Sequence, residues 1–199
     1  TATAATGYWI DPEIGDDAHT TVQARTTATP WRSLGRALAA DRAGDTVLLR
    51  PGVYRQTADF NADGITLRGA GLLGEVVLKP PPGEPGIYVD GFSDARIENI
   101  VVEGAAQGIV LRHAIAPRIR DVAVISSGSN GIVVRDSSDA WIENSVVASS
   151  GAMGIKIVRS EPAYVRNNLL YDNADWAISL GHTESAGAIP SRGNLVSFN

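Results

Sequence analysis

Apolar and polar positions along the chain alternate in short runs that return every 22 or 23 residues. Gly86-Ile87-Tyr88-Val89, Gly108-Ile109-Val110-Leu111, Gly131-Ile132-Val133-Val134, Gly154-Ile155-Lys156-Ile157 and Ala177-Ile178-Ser179-Leu180 open successive units. Strict alternation predicts a strand with one face inward. Its return at a nearly fixed period predicts a solenoid, in which each unit stacks on the next. Within each unit Ile97-Glu98-Asn99, Ile119-Arg120-Asp121, Ile142-Glu143-Asn144 and Val165-Arg166-Asn167 mark a second strand. It ends on Asn or Asp, residues that tolerate the left-handed backbone of a corner. Val101-Val102, Val122-Ala123-Val124, Val146-Val147 and Leu169-Leu170 supply a third strand, so the predicted coil has three sides.

Two inward files follow from the register: Ile87, Ile109, Ile132, Ile155, Ile178, and two residues on Val89, Leu111, Val134, Ile157, Leu180. Burying each side chain is worth roughly 1.5–3 kcal/mol. That gain arrives only when the neighbouring unit covers it.

Residues 1–45 read as a leading segment with a capping α-helix, and 46–199 as the coils. Thr29 is a candidate helix N-cap with Pro30 at the first helical position, and Trp31, Leu34, Ala37 and Leu38 share a face before Gly44. The first coils, around Thr46-Val47-Leu48-Leu49, Val53-Tyr54, Ile65-Thr66-Leu67 and Val76-Val77-Leu78, are less regular. Pro80, Pro81, Pro82 and Pro85 stiffen the loop after them. The last unit needs an insertion around Ser185 to Pro190, and the sequence stops at Asn199 within a coil. Further chain or a partner subunit is expected over that end, with self-association as one outcome. Thr1 to Thr6 reads as a mature N-terminus from which a signal peptide has been removed.

Composition narrows the function. The 199 residues carry 17 Lys plus Arg against 22 Asp plus Glu, net −5, which argues against a general nucleic-acid binder. With no Cys, disulfides and thiol catalysis are excluded. No apolar run is long enough to span a bilayer as a helix, so membrane insertion is not expected.

The repeat, together with Tyr8-Trp9-Ile10-Asp11-Pro12, Gly15-Asp16-Asp17, Thr29-Pro30-Trp31-Arg32-Ser33-Leu34, Ala43-Gly44-Asp45-Thr46-Val47 and Arg50-Pro51-Gly52-Val53-Tyr54, resembles the pectate lyase-like superfamily. The resemblance implies an all-β fold, a right-handed three-sheet parallel β-helix of about six coils with an N-terminal capping α-helix. It also implies a secreted or cell-surface location and a polysaccharide partner along the outer face of the first sheet. It does not imply one activity, because lyases, hydrolases, epimerases and non-catalytic surface proteins share the fold.

On that outer face the register sets Tyr88, Val110, Val133, Lys156 and Ser179 in one column and Asp90, Arg112, Arg135, Val158 and Gly181 in the next, with His113, Asp136, Arg159 and His182 at the following turn. Arg112, Arg135, Lys156 and Arg159 form an expected basic strip, suited to sugar carboxylates. β-Elimination needs a base and a charge that neutralises the carboxylate beside the reacting carbon. Lys156 is the candidate base, Arg112 and Arg135 the neutralising groups, and Tyr88, Asp90, His113, Arg159 and His182 candidate substrate contacts. The plainer reading is a solvated face with Asp90–Arg112 and Arg135–Asp136 pairs. No Asp-Asp pair lies on the repeat coils, which weighs against hydrolase or epimerase chemistry.

Asp59, Asn61 and Asp63 match the first half of a calcium loop, although Ala70 stands where a bidentate Glu belongs. Ca2+ is thus the one cofactor the sequence suggests. On the second sheet, Glu98, Arg120, Glu143 and Arg166 alternate in sign, while Arg118, Trp141 and Tyr164 read as a cation–π stack or a sugar platform. The preferred function is an extracellular protein that binds an acidic polysaccharide, with β-elimination as the candidate activity if it is an enzyme. The rival is a non-catalytic surface or assembly module.

Overall fold

The computed structural model describes residues 7–40, 43–181 and 195–197. These form the strands β1 (Gly7–Ile10), β2 (Thr46–Leu49), β3 (Gly52–Tyr54), β4 (Ala58–Asp59), β5 (Thr66–Gly69), β6 (Val76–Leu78), β7 (Ile87–Asp90), β8 (Arg96–Glu98), β9 (Val101–Glu103), β10 (Ile109–Arg112), β11 (Arg118–Arg120), β12 (Ala123–Ile125), β13 (Ile132–Arg135), β14 (Ala140–Glu143), β15 (Val146–Ala148), β16 (Ile155–Val158), β17 (Ala163–Arg166), β18 (Leu169–Tyr171), β19 (Ile178–Gly181) and β20 (Leu195–Ser197), with one α-helix, α1 (Leu34–Ala40). All pairs between these strands are parallel.

The strands sort into three sheets, as a three-sided coil requires. The sheet of Gly-Ile strands runs β4-β7-β10-β13-β16-β19, the second β1-β2-β5-β8-β11-β14-β17-β20, and the third β3-β6-β9-β12-β15-β18. In the first sheet Ile87, Ile109, Ile132, Ile155 and Ile178 are direct register partners in turn. The first four are fully buried, and Ile178 is packed against the same core. Coil stacking is therefore what hides them.

The glycine that opens four of the five units is explained by crowding. A Cβ on Gly131 would lie 2.3 Å from Val147 Cγ1 and 2.7 Å from the Gly154 carbonyl oxygen, and one on Gly108 would lie 2.2 Å from Val124 Cγ1. The second corner works differently. Asn99, Asp121, Asn144 and Asn167 all take φ of 52–54°, a region open to short polar side chains that bond locally. Asn167 Nδ2 donates to Asn144 Oδ1 at 2.6 Å, tying one coil to the next.

The cap corrects one expectation. The helix begins at Leu34, not after Thr29, and the Ser33 hydroxyl accepts the Arg36 amide at 3.1 Å. Trp31 instead bridges Ile10 in parallel fashion, and its indole N–H donates to the His19 carbonyl at 2.7 Å. Leu34, Ala37 and Leu38 are buried as expected. Tyr54 secures the first coil, its buried hydroxyl lying 3.0 Å from the Ile10 carbonyl and 2.8 Å from that of Arg50. Among the described residues no helix is long and apolar enough to cross a membrane.

Candidate functional site

The outer face of the first sheet carries a hollow of about 270 Å³. Its position follows from side-chain size along one register column. Tyr88, Val110, Val133 and Lys156 lie on consecutive strands β7, β10, β13 and β16, so two small residues form a floor between two long ones. At about 4.8 Å per strand, Tyr88 and Lys156 stand roughly 14 Å apart along the sheet. Val110 and Val133 are nearly covered although they point outward. Arg112 and Arg135, register partners in the adjacent column, line the same hollow.

The two arginines supply the most specific feature. The Nε atoms of Arg112 and Arg135 are buried without a hydrogen-bond partner among the described residues. A buried donor left unpaired costs free energy, and a carboxylate is its natural acceptor. Arg112 also donates through Nη1 to the Tyr88 hydroxyl at 3.3 Å. That hydroxyl donates in turn to Asp90 Oδ2 at 2.9 Å.

Asp90 leads out of the hollow to the corner. His113 Nδ1 lies 2.7 Å from Asp90 Oδ1, and His113 Nε2 lies 4.0 Å from Asp136 Oδ2. Asp136 binds the Arg159 guanidinium through both carboxylate oxygens. His113, Asp136 and Arg159 occupy the same corner position in successive coils, with φ of 46°, 51° and 47°. Their side chains therefore stack with a carboxylate between an imidazole and a guanidinium. The His113 hydrogen bond, aided by Tyr88 and opposed by desolvation, holds the Asp90 carboxyl below the usual carboxylate range. Arg159 does the same for Asp136.

This geometry divides the expected contacts. Tyr88, Arg112, Arg135 and Lys156 line one hollow. Arg159 leaves the basic strip, because the corner turns its guanidinium onto Asp136. Asp90 pairs with His113 and Tyr88, and Asp136 with Arg159, where the plainer reading of a solvated face sets Asp90 with Arg112 and Asp136 with Arg135. His182 lies outside the described residues.

The calcium expectation meets a different arrangement. Asp59 is the last residue of β4 and the register partner of Tyr88, so it heads the outer column. Desolvation and the nearby Asp90 push its carboxyl above the usual range. Asp63 Oδ1 accepts the Ser93 amide at 2.7 Å. Among the described residues no group of three or more His, Cys, Asp or Glu side chains is gathered at metal-binding spacing.

Pro85, at the end of the proline-rich loop, forms one rim of the hollow together with Gln107 and Asn130, the last two of which escaped the sequence reading. Each immediately precedes the glycine of a Gly-Ile unit, so the repeat itself held the signal. On the second sheet the Trp141 and Tyr164 rings stack with centroids 4.2 Å apart, and the guanidinium carbons of Arg166 and Arg118 sit 4.7 and 5.3 Å from the Trp141 centroid. The partners that flank Trp141 along its register, Arg118 and Tyr164, take up its ring faces. The contacts are those of the cation–π stack expected from the sequence.

The family model described as "Right handed beta helix region" matches residues 85–199. No curated protein sequence matches the chain significantly. Among solved structures, an alginate lyase from a Paenibacillus species is similar over 83% of this chain and 64% of its own, with TM-score 0.63 and 23% identity. The A-module of a mannuronan C-5 epimerase from Azotobacter vinelandii is similar over 82% of this chain and 56% of its own, with TM-score 0.64 and 20% identity. A pectate lyase is similar over 96% of this chain and 58% of its own, with TM-score 0.64 and 17% identity. The chain thus spans less than two thirds of each of these structures.

Proposed function

We propose that this chain, which belongs to the family of right-handed β-helix regions, is a carbohydrate-active protein that holds an acidic polysaccharide on the outer face of its first sheet. The observation that carries the reading is the pair of buried, unpartnered guanidinium Nε atoms of Arg112 and Arg135 above an apolar floor. A uronate carboxylate is the acceptor that suits the two guanidinium groups, and the floor of Val110 and Val133 faces the apolar side of a sugar ring. The similarity to alginate lyase, mannuronan epimerase and pectate lyase supports the substrate class. Such polymers are extracellular, so a secreted or cell-surface location goes with the proposal.

The chemistry that fits is β-elimination. Arg112 and Arg135 neutralise the uronate carboxylate, which acidifies the adjacent ring proton at C5; Lys156 in its neutral form takes that proton, the C–H electrons form the C4–C5 double bond, and the C4–O glycosidic bond breaks, its oxygen leaving with a proton from solvent or from the Lys156 ammonium just formed. Calcium, held by carboxylates such as Asp59 or Asp63 together with Asn61, is an optional part of this proposal. Incubation with pectate, alginate and glycosaminoglycans, with calcium or with chelator, tests it through the ultraviolet absorbance of unsaturated products. Silence with every polymer removes the lyase reading.

A non-catalytic binding module is the second reading. The three strand spacings between Tyr88 and Lys156 favour it, because one sugar unit does not span both. Binding without product would establish it.

A further inference from the structure

The outer face changes sign along the coil axis. Asp59 and Tyr88 are register partners on β4 and β7, and Tyr88, Val110, Val133 and Lys156 continue the same column. Beside them run Asp90, Arg112 and Arg135. A polymer laid along this face therefore passes from two carboxylates to three cations within five strands, each step being about 4.8 Å. The two carboxylates are not equivalent. Asp90 is engaged by the Tyr88 hydroxyl and His113, whereas Asp59 makes no hydrogen bond or ion pair with other described residues and its side chain is exposed.

We infer that Asp59 is a specificity-determining residue: it confines anionic sugar units to the stretch between Tyr88 and Lys156 and requires an uncharged or cationic unit beyond Tyr88. The inference rests on the reading of the hollow as an acidic-polysaccharide site. Its physical basis is short-ranged. Screening at physiological salt acts over about 8 Å, so a uronate over Arg112 and Arg135 is governed by those cations, while one carried past Tyr88 meets the Asp59 carboxylate first. A neutral sugar there offers hydroxyl donors to that carboxylate, and an ammonium-bearing sugar offers an ion pair. The preferred ligand is accordingly a heteropolymer in which uronate is followed by a non-anionic unit, rather than an unbroken polyuronate.

Calorimetry with uronate dimers and tetramers, in chelator and at physiological salt, tests this on the wild type, Asp59→Asn, Asp59→Lys and Arg135→Ala. Asp59→Asn is expected to leave dimer affinity unchanged and to tighten the tetramer by about two- to fivefold, the size of one partly screened surface charge. Asp59→Lys should tighten the tetramer further, and Arg135→Ala should weaken the dimer. Tetramer affinity that is the same in wild type, Asp59→Asn and Asp59→Lys, while Arg135→Ala still weakens the dimer, overturns the Asp59 assignment and leaves the site standing. Dimer affinity indifferent to Arg135→Ala, or no uronate binding by the wild type, overturns the site and this inference with it.

Discussion

His113 and Asp90 reach across adjacent coils of the first sheet, Nδ1 to Oδ1 at 2.7 Å, and the same ring turns its other nitrogen toward Asp136. The contact links a residue at the corner to the Tyr88 hydroxyl at the edge of the hollow. Corner and groove are therefore one hydrogen-bonded unit.

Acid should loosen that unit. Asp90 and Asp136 have folded values below the ordinary 3.8, so the stability they contribute is present above that value and lost as pH falls through the lower folded values. Thermal melts followed by circular dichroism should show a decline below about pH 4. The decline should be shallower in the double variant Asp90→Asn, Asp136→Asn. Equal slopes in both proteins would detach these carboxylates from the acid response.

Gly131→Ala should destabilise by about 1–3 kcal/mol, the usual cost of overpacking. The added methyl meets Val147 Cγ1 at 2.3 Å and a backbone oxygen of the next coil at 2.7 Å, and neither yields cheaply. Gly35→Ala is the control, since nothing lies within 4 Å of its added carbon. Denaturant unfolding of both variants checks the contrast.

Trp141→Ala should cost about 1–2 kcal/mol through lost ring stacking and cation–π contact. Polysaccharide affinity should not change, because the ring lies on the second sheet between Arg118 and Tyr164. Weaker sugar binding in this variant would restore the platform reading.

Lys156→Ala should abolish any unsaturated product while leaving the polymer bound, since the arginines remain. Arg135→Ala should instead weaken binding by about tenfold to a hundredfold, as expected for a charge-assisted hydrogen bond. Product formation by Lys156→Ala at the wild-type rate would reassign the base.

The regular coils were legible in the sequence because one register governs them. Ile109 pairs with Ile132 and Arg112 with Arg135, as the 23-residue offset requires. What the offset does not carry is side-chain direction at a corner. Arg159 continues the arithmetic of the basic strip, yet a left-handed residue sends its guanidinium to Asp136. Asp59 reads as part of a calcium loop and its place in the outer column is missed, because it precedes its register partner Tyr88 by 29 residues where the proline-rich loop lengthens that coil. The helix start was misplaced because Pro30 imitates a first helical residue, whereas Trp31 is held in extended pairing with Ile10.

The parallel pairing of each strand with the coils before and after it has a mechanical consequence. The inter-strand bonds of all three sheets point along the coil axis, so tension applied along that axis loads one winding's row of bonds before the next. Yielding then proceeds as peeling, and each 23-residue winding releases roughly 75–80 Å of contour length. Over the regular coils such a molecule lengthens in nearly equal increments under pull, with the remaining windings still assembled behind the fork.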